Sequence, residues 1–195
     1  MKKIAGSVIG VLLIFAAVAQ QKSTIQPPTF GIHYFLSDDS SASQLRNSSL
    51  SATLANKNFG NFKSMNPGLA VSYTQGLDSK FDFSGMLAAS VAPITLRDRE
   101  IIGNDALNLE VDASIRGKML TNDYWFVPYV QLGVGISKHA GYYGAFIPAG
   151  VGIQISFFDE AYFLINSQYR VPVTQTSPYR FFHSIGLAAN LNSLK

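Results

Sequence analysis

The sequence contains no cysteine. That excludes disulfide frameworks, thiolate zinc sites, catalytic thiols and a lipidated N-terminal cysteine. Charge is scarce too: Asp, Glu, Lys and Arg make up 14% of the 195 residues, against roughly a quarter in an average soluble domain. With 47% hydrophobic residues the chain is too apolar to be disordered, and its length suits one domain. It carries no phosphate loop, no dinucleotide fingerprint and no His-Glu-x-x-His metal motif, and it has only three histidines. No cofactor is expected. No basic patch or stripe of the kind that tracks a phosphate backbone is present either, so nucleic acid is not an expected partner.

What is present begins with a targeting segment. Met1-Lys2-Lys3 precedes an uncharged apolar stretch over residues 4–19 that ends in Ala17-Val18-Ala19. A basic start, a hydrophobic middle and small residues before the cut are the parts of a cleaved export signal. The stretch is shorter than the roughly 20 residues a spanning helix needs. Cleavage after residue 19 removes Lys2 and Lys3 from the 15 basic residues, leaving 13 against 12 acids. The sequence thus divides into a signal peptide over 1–19, an N-terminal linker over 20–28 and a barrel domain over 29–195.

Beyond the linker the chain reads as apolar-alternating runs separated by turn-forming clusters, with no window that sustains a helical period. The runs predict eight strands, at 29–37, 67–76, 80–93, 106–120, 125–138, 144–157, 161–173 and 180–191. Most are longer than the usual strand of a globular sheet and match the 9–11 residues of a tilted membrane-crossing strand. The clearest is Leu107-Asn108-Leu109-Glu110-Val111-Asp112-Ala113-Ser114-Ile115-Arg116-Gly117-Lys118-Met119, in which odd positions are apolar or small and even positions polar. The runs from Phe81 and Phe163 follow the same rule with Met86, Leu164 and Ser167 as exceptions.

Which parity faces inward follows from size. An eight-stranded barrel has room for little more than its own side chains, and the polar parity is rich in small residues such as Ala70, Ser72, Ser84, Gly133, Gly135, Gly150, Gly152 and Gly186. Large apolar residues belong outside, which is the transmembrane arrangement. Short turns near residues 76–79, 120–124 and 158–160 alternate with longer connections at 38–66, 94–105 and 174–179, although 139–143 is short for its place. Aromatic residues gather at the strand ends: Phe81, Tyr124, Trp125, Phe157, Phe158 and Tyr162 at one level, Tyr142, Tyr143, Tyr179 and Phe181 at the other. The expected fold is all-β, an eight-stranded antiparallel up-and-down transmembrane β-barrel.

With its export signal, strand-and-turn rhythm and glycine-bearing strands such as Pro128-Tyr129-Val130-Gln131-Leu132-Gly133-Val134-Gly135 and Phe182-His183-Ser184-Ile185-Gly186-Leu187, the chain resembles the small eight-stranded outer-membrane barrels typified by the N-terminal barrel of outer membrane protein A. The resemblance spans about 29–191. It implies a Gram-negative outer-membrane location, outer-membrane lipid as the surrounding partner, and barrel-assembly machinery as a partner in biogenesis. Two departures are that no peptidoglycan-binding domain follows and that the end, Leu191-Asn192-Ser193-Leu194-Lys195, lacks the terminal aromatic often read by that machinery.

The chemistry-bearing residues fall on the inward parity. A hairpin register in which paired numbers sum to about 200 sets Asp82 opposite Lys118 and Ser84 opposite Arg116. Antiparallel stacking brings Arg170 to the depth of Glu110 and Asp112, with His33 and Gln168 nearby. Paired in this way, the charges form a structural network or a switchable gate in a narrow pore, because buried charges persist only when paired and hydrogen-bonded. Three other roles stand beside this one. A lipid A-modifying enzyme would need a Ser–His arrangement near the outer rim, and the sequence sets no serine or acid evidently beside His183. A soluble lipocalin-like barrel would enclose an apolar ligand. A surface ligand could bind the Ser- and Asn-rich loop 38–66, since long loops carry function more often than the scaffold does. The function expected is a structural or surface-interaction role without catalysis and with at most a narrow gated pore.

Overall fold

A computed structural model describes residues 25–47, 51, 60–91, 107–139, 141–157 and 160–194. The export signal and the connection at 94–105 lie outside them. Eight antiparallel strands follow one another around a closed barrel, each bonded to the next and β1 to β8. They are β1 (Thr29–Asp38), β2 (Asn66–Gly76), β3 (Phe81–Val91), β4 (Leu107–Lys118), β5 (Phe126–His139), β6 (Tyr142–Phe157), β7 (Ala161–Pro172) and β8 (Arg180–Asn190). Period-2 patterning carries this agreement with the sequence, because a strand sends successive side chains to opposite faces.

Closure leaves no unpaired sheet edge, and it gives the barrel an inverted surface. Inward positions along β4 alternate strictly with outward ones. Asn108, Glu110, Asp112, Ser114, Arg116 and Lys118 are all buried, while Val111, Ile115, Ile32, Val134 and Leu187 stand exposed, the last three by more than 60%. An apolar-ligand barrel has the opposite arrangement. The exceptions in the sequence pattern also resolve. Met86 and Leu164 point inward, Met86 joining Phe35, Ala70, Ala88 and Phe182 in an apolar layer and Leu164 packing with Tyr162 and Ala188. Tyr162 therefore leaves the girdle expected of it: its even position in β7 turns it inside, where it is 1% exposed.

One further expectation needs correction. The segment after β1 is not only loop, since Asp39–Asn47 forms a helix, α1. The Asp38 carboxylate accepts from the Ser41 backbone N–H at 2.9 Å, a helix N-cap. That capping Asp is the signal that marks α1, and its short, polar sequence hides the helical period. The connection between β5 and β6 is tight: His139 pairs with Tyr142, and Gly141 takes a φ of +83° that a side chain would disfavour.

The small inward residues are there for close approach. A Cβ on Gly133 would lie 2.6 Å from Ser114 Cβ and closer still to the Ala113 carbonyl oxygen, which is backbone and cannot turn away. On the outward face, a Cβ on Gly117 would meet Val130 at 3.6 Å, an ordinary contact. Gly133→Ala is therefore expected to cost about 1–3 kcal/mol of folding stability and Gly117→Ala a few tenths at most. Urea titration of the two variants in lipid vesicles checks the contrast, and equal effects would contradict the inward packing of β5.

Candidate functional site in the barrel interior

The interior holds two groups of charge, ordered by β4. From the end with the long connections, its inward residues run Glu110, Asp112, Ser114, Arg116, Lys118, acids first and bases last. At the acid end the Arg170 guanidinium reaches both carboxylates: Nη1 donates to Glu110 Oε2 and Nη2 to Asp112 Oδ2 at 3.1 Å. Its Nε donates to Gln168 Oε1 at 3.3 Å. The face of the guanidinium lies 3.7 Å from the Phe182 ring centroid, and the Phe146 centroid is 4.9 Å away. Arg170 is thus held by charge at its edge and by aromatic rings on its faces, the two modes a planar cation combines best.

Two residues outside the sequence-derived set complete this group. Arg180, at the start of β8 and opposite Arg170 in register, pairs with Glu110. His139, at the end of β5, lies 3.2 Å from the same carboxylate. Its Nδ1 is 2.9 Å from Asn108 Oδ1, and a carbonyl oxygen can only accept, so Nδ1 carries the proton. Its Nε2 faces Arg180 Nη2, 2.5 Å away, as well as that carboxylate. Both residues sit at strand boundaries, His139 one residue beyond the predicted end of its strand.

At the other end Lys118 Nζ donates to Asp82 Oδ1 at 2.8 Å, both side chains 1% exposed. The register differs from the expected one by two residues: Asp82 stands opposite Arg116, and Ser84 opposite Ser114. Lys118 reaches Asp82 diagonally, as long side chains can across a ladder. A two-residue slip preserves which face each side chain takes, so the alternation could not detect it. His33 is buried, its Nε2 2.7 Å from Ser72 Oγ.

At the mouth nearest the acid group, α1 packs against β8. Ser41 and Ala42 are buried there, and Ser41 Oγ accepts from the Gly60 N–H at 2.9 Å. Burial pushes the Asp39 carboxyl above its ordinary range, with the nearby Arg180 opposing the rise. Loop 38–66 therefore begins as a structured element in electrostatic contact with the interior network.

The outward face carries one site that the sequence did not reveal. His183 pairs in register with Ser167 on β7 and with Leu36 on β1. Ser167 Oγ and His183 Nδ1 are 2.9 Å apart. Phe181 stacks on the His183 ring with centroids 5.8 Å apart, and Tyr169 and Tyr179 extend the aromatic patch. Among the described residues no carboxylate hydrogen-bonds this imidazole, so the pair lacks the orienting acid of a serine hydrolase triad. Two polar groups on an apolar face are satisfied by each other.

No protein-family model matches the sequence, and no curated protein matches it. Solved structures do. The chain is similar to the N-terminal β-barrel domain of OprF from Pseudomonas aeruginosa, at 9% identity and a TM-score of 0.51, covering 85% of this chain and 98% of that one. It is also similar to Neisserial surface protein A, at 10% identity, a TM-score of 0.49 and coverage of 87% and 98%. A third is Ail, the attachment invasion locus protein of Yersinia pestis, at 11% identity, a TM-score of 0.47 and coverage of 84% and 97%. The fold is that of a small closed eight-stranded up-and-down barrel, in keeping with the resemblance drawn from the sequence.

Proposed function

We propose that this chain is an integral outer-membrane β-barrel protein whose interior is a rigid, charge-filled plug and whose long connections face the cell surface. The observation that carries the reading is the inversion of surfaces: a continuous outward band of exposed Ile, Leu, Val and Phe surrounds an interior of buried charges. In water such a band would drive association. In lipid it is the required exterior, and barrel closure leaves no open strand edge for the bilayer to satisfy. The exposed Phe81, Tyr124 and Phe157 at one end and Tyr143 at the other then sit where aromatic side chains favour the membrane–water interface.

The role is structural or surface-interacting, with loop 38–66 presented at the surface for a ligand and barrel-assembly machinery acting during biogenesis. Fractionation followed by gel migration with and without boiling tests the location. A membrane-pelleted band that shifts on heating is expected, and a soluble band without a shift would overturn it. The bridge from Arg170 to Glu110 and Asp112 favours a second, narrower reading, in which this bridge is a gate. Arg170→Ala should then raise the open probability of single channels in planar bilayers, and an unchanged closed state would remove the gate.

A further inference from the structure

We infer that the barrel interior binds a small inorganic anion of chloride's size at the Arg116 guanidinium. The two charge groups are not equally balanced. Around Arg170 and Arg180 stand Glu110 and Asp112, with Asp39 also near Arg180, so this end does not lack acids. At the turn end stand Arg116 and Lys118 with Asp82 alone, and Lys118 holds the Asp82 carboxylate. Among the described residues Arg116 makes no ion pair, although it is only 2% exposed. Its Nε and Nη1 donors have no partner.

The surroundings are those of an anion cradle. Tyr129 lies under the guanidinium, its ring centroid 4.9 Å from Arg116 Cζ, and the buried Tyr129 hydroxyl is a third unpartnered polar group. Gln131, opposite Arg116 on β5, turns its carbonyl oxygen to Asn166 Nδ2 at 3.4 Å. Arg116 Nε and Nη1 are thus buried donors that no protein acceptor meets. Water would satisfy their hydrogen bonds but bring no charge to the guanidinium, which Asp82 and Asp112 influence without forming an ion pair with it. An unpaired buried cation is among the costliest groups a protein can hold, and orphaned buried donors point to a missing water or ion. An anion satisfies the donors and cancels the charge together. A monatomic halide suits these few donor atoms better than a phosphate or sulfate with its larger acceptor set.

The test compares the barrel, refolded in lipid vesicles, in sodium chloride and in sodium gluconate at equal ionic strength. At ten times the dissociation constant, chloride should raise the folding equilibrium constant by about ten-fold over gluconate, saturably. Arg116→Gln should abolish the difference. Should that variant fail to fold, Tyr129→Phe keeps the ring, removes one donor, and should move the chloride dependence to higher concentration. Crystals grown in bromide should show an anomalous peak beside Arg116. Equal stability in the two salts, a chloride dependence unchanged in both variants, or bromide peaks confined to the exterior would each overturn the assignment.

Discussion

Replacing Arg170 with Met is expected to lower the stability of the folded barrel by about 3–5 kcal/mol, the usual cost of removing one partner from a buried ion pair. The size follows from what is left behind. Arg170 is fully buried and reaches two carboxylates. Without it Arg180 can pair with Glu110, but Asp112 loses its only ion-pair partner among the described residues. Met keeps much of the side-chain volume over Phe182, so the effect reports charge rather than packing. Urea titration in vesicles, followed by the fluorescence of the single tryptophan and by the heat-shifted gel band, measures it. A change under about 1 kcal/mol would show that water or rearranged partners replace the bridge. Adding Asp112→Asn to Arg170→Met should recover part of the loss, because the carboxylate left uncompensated is then gone; full additivity of the two changes would argue against a direct pair.

The second large effect concerns the outer surface. Val134 lies in the middle of β5, points outward and is 67% exposed. If the apolar band lies in hydrocarbon, Val134→Arg should cost about 2–4 kcal/mol, and the same change at Tyr143, at the start of β6, only about 0–1 kcal/mol. In a water-soluble barrel both sites are simply exposed, and both changes should fall within about 0.5 kcal/mol of neutral. Refolding titrations of the two variants separate these cases. Equal small costs would remove the membrane reading while leaving the barrel intact.

Much of the interior network was legible in the primary structure because strand alternation is a local property. Glu110, Asp112, Arg116 and Lys118 each lie two or four residues from another on one run, so all four must share a face. Arg170 could be added because antiparallel strands with alternating short turns fix approximate depth. His139 escaped because the predicted strand stops one residue short of it, whereas Arg180 shares the inward parity of Gly186 and lacked only the register that sets it beside Arg170. Ser167 was legible only as an exception to its strand's pattern, and its meaning came from His183 across the ladder.

The division has a physical basis. The sequence by itself determined the number of strands, the face each side chain takes and the inversion of polarity, since these depend on period, length and composition within single segments. The tertiary structure decided the register, and with it the diagonal Lys118–Asp82 pair, the Ser167–His183 contact, the unpaired state of Arg116 and the seating of α1 against β8. A shift of two residues between neighbouring strands leaves every side chain on the same face and every hydrophobic residue equally buried. Hydrophobic pattern therefore cannot choose among such registers. The choice falls to close packing around glycines such as Gly133 and to charges that tolerate burial only beside a partner, and those interactions exist only once all eight strands are in place.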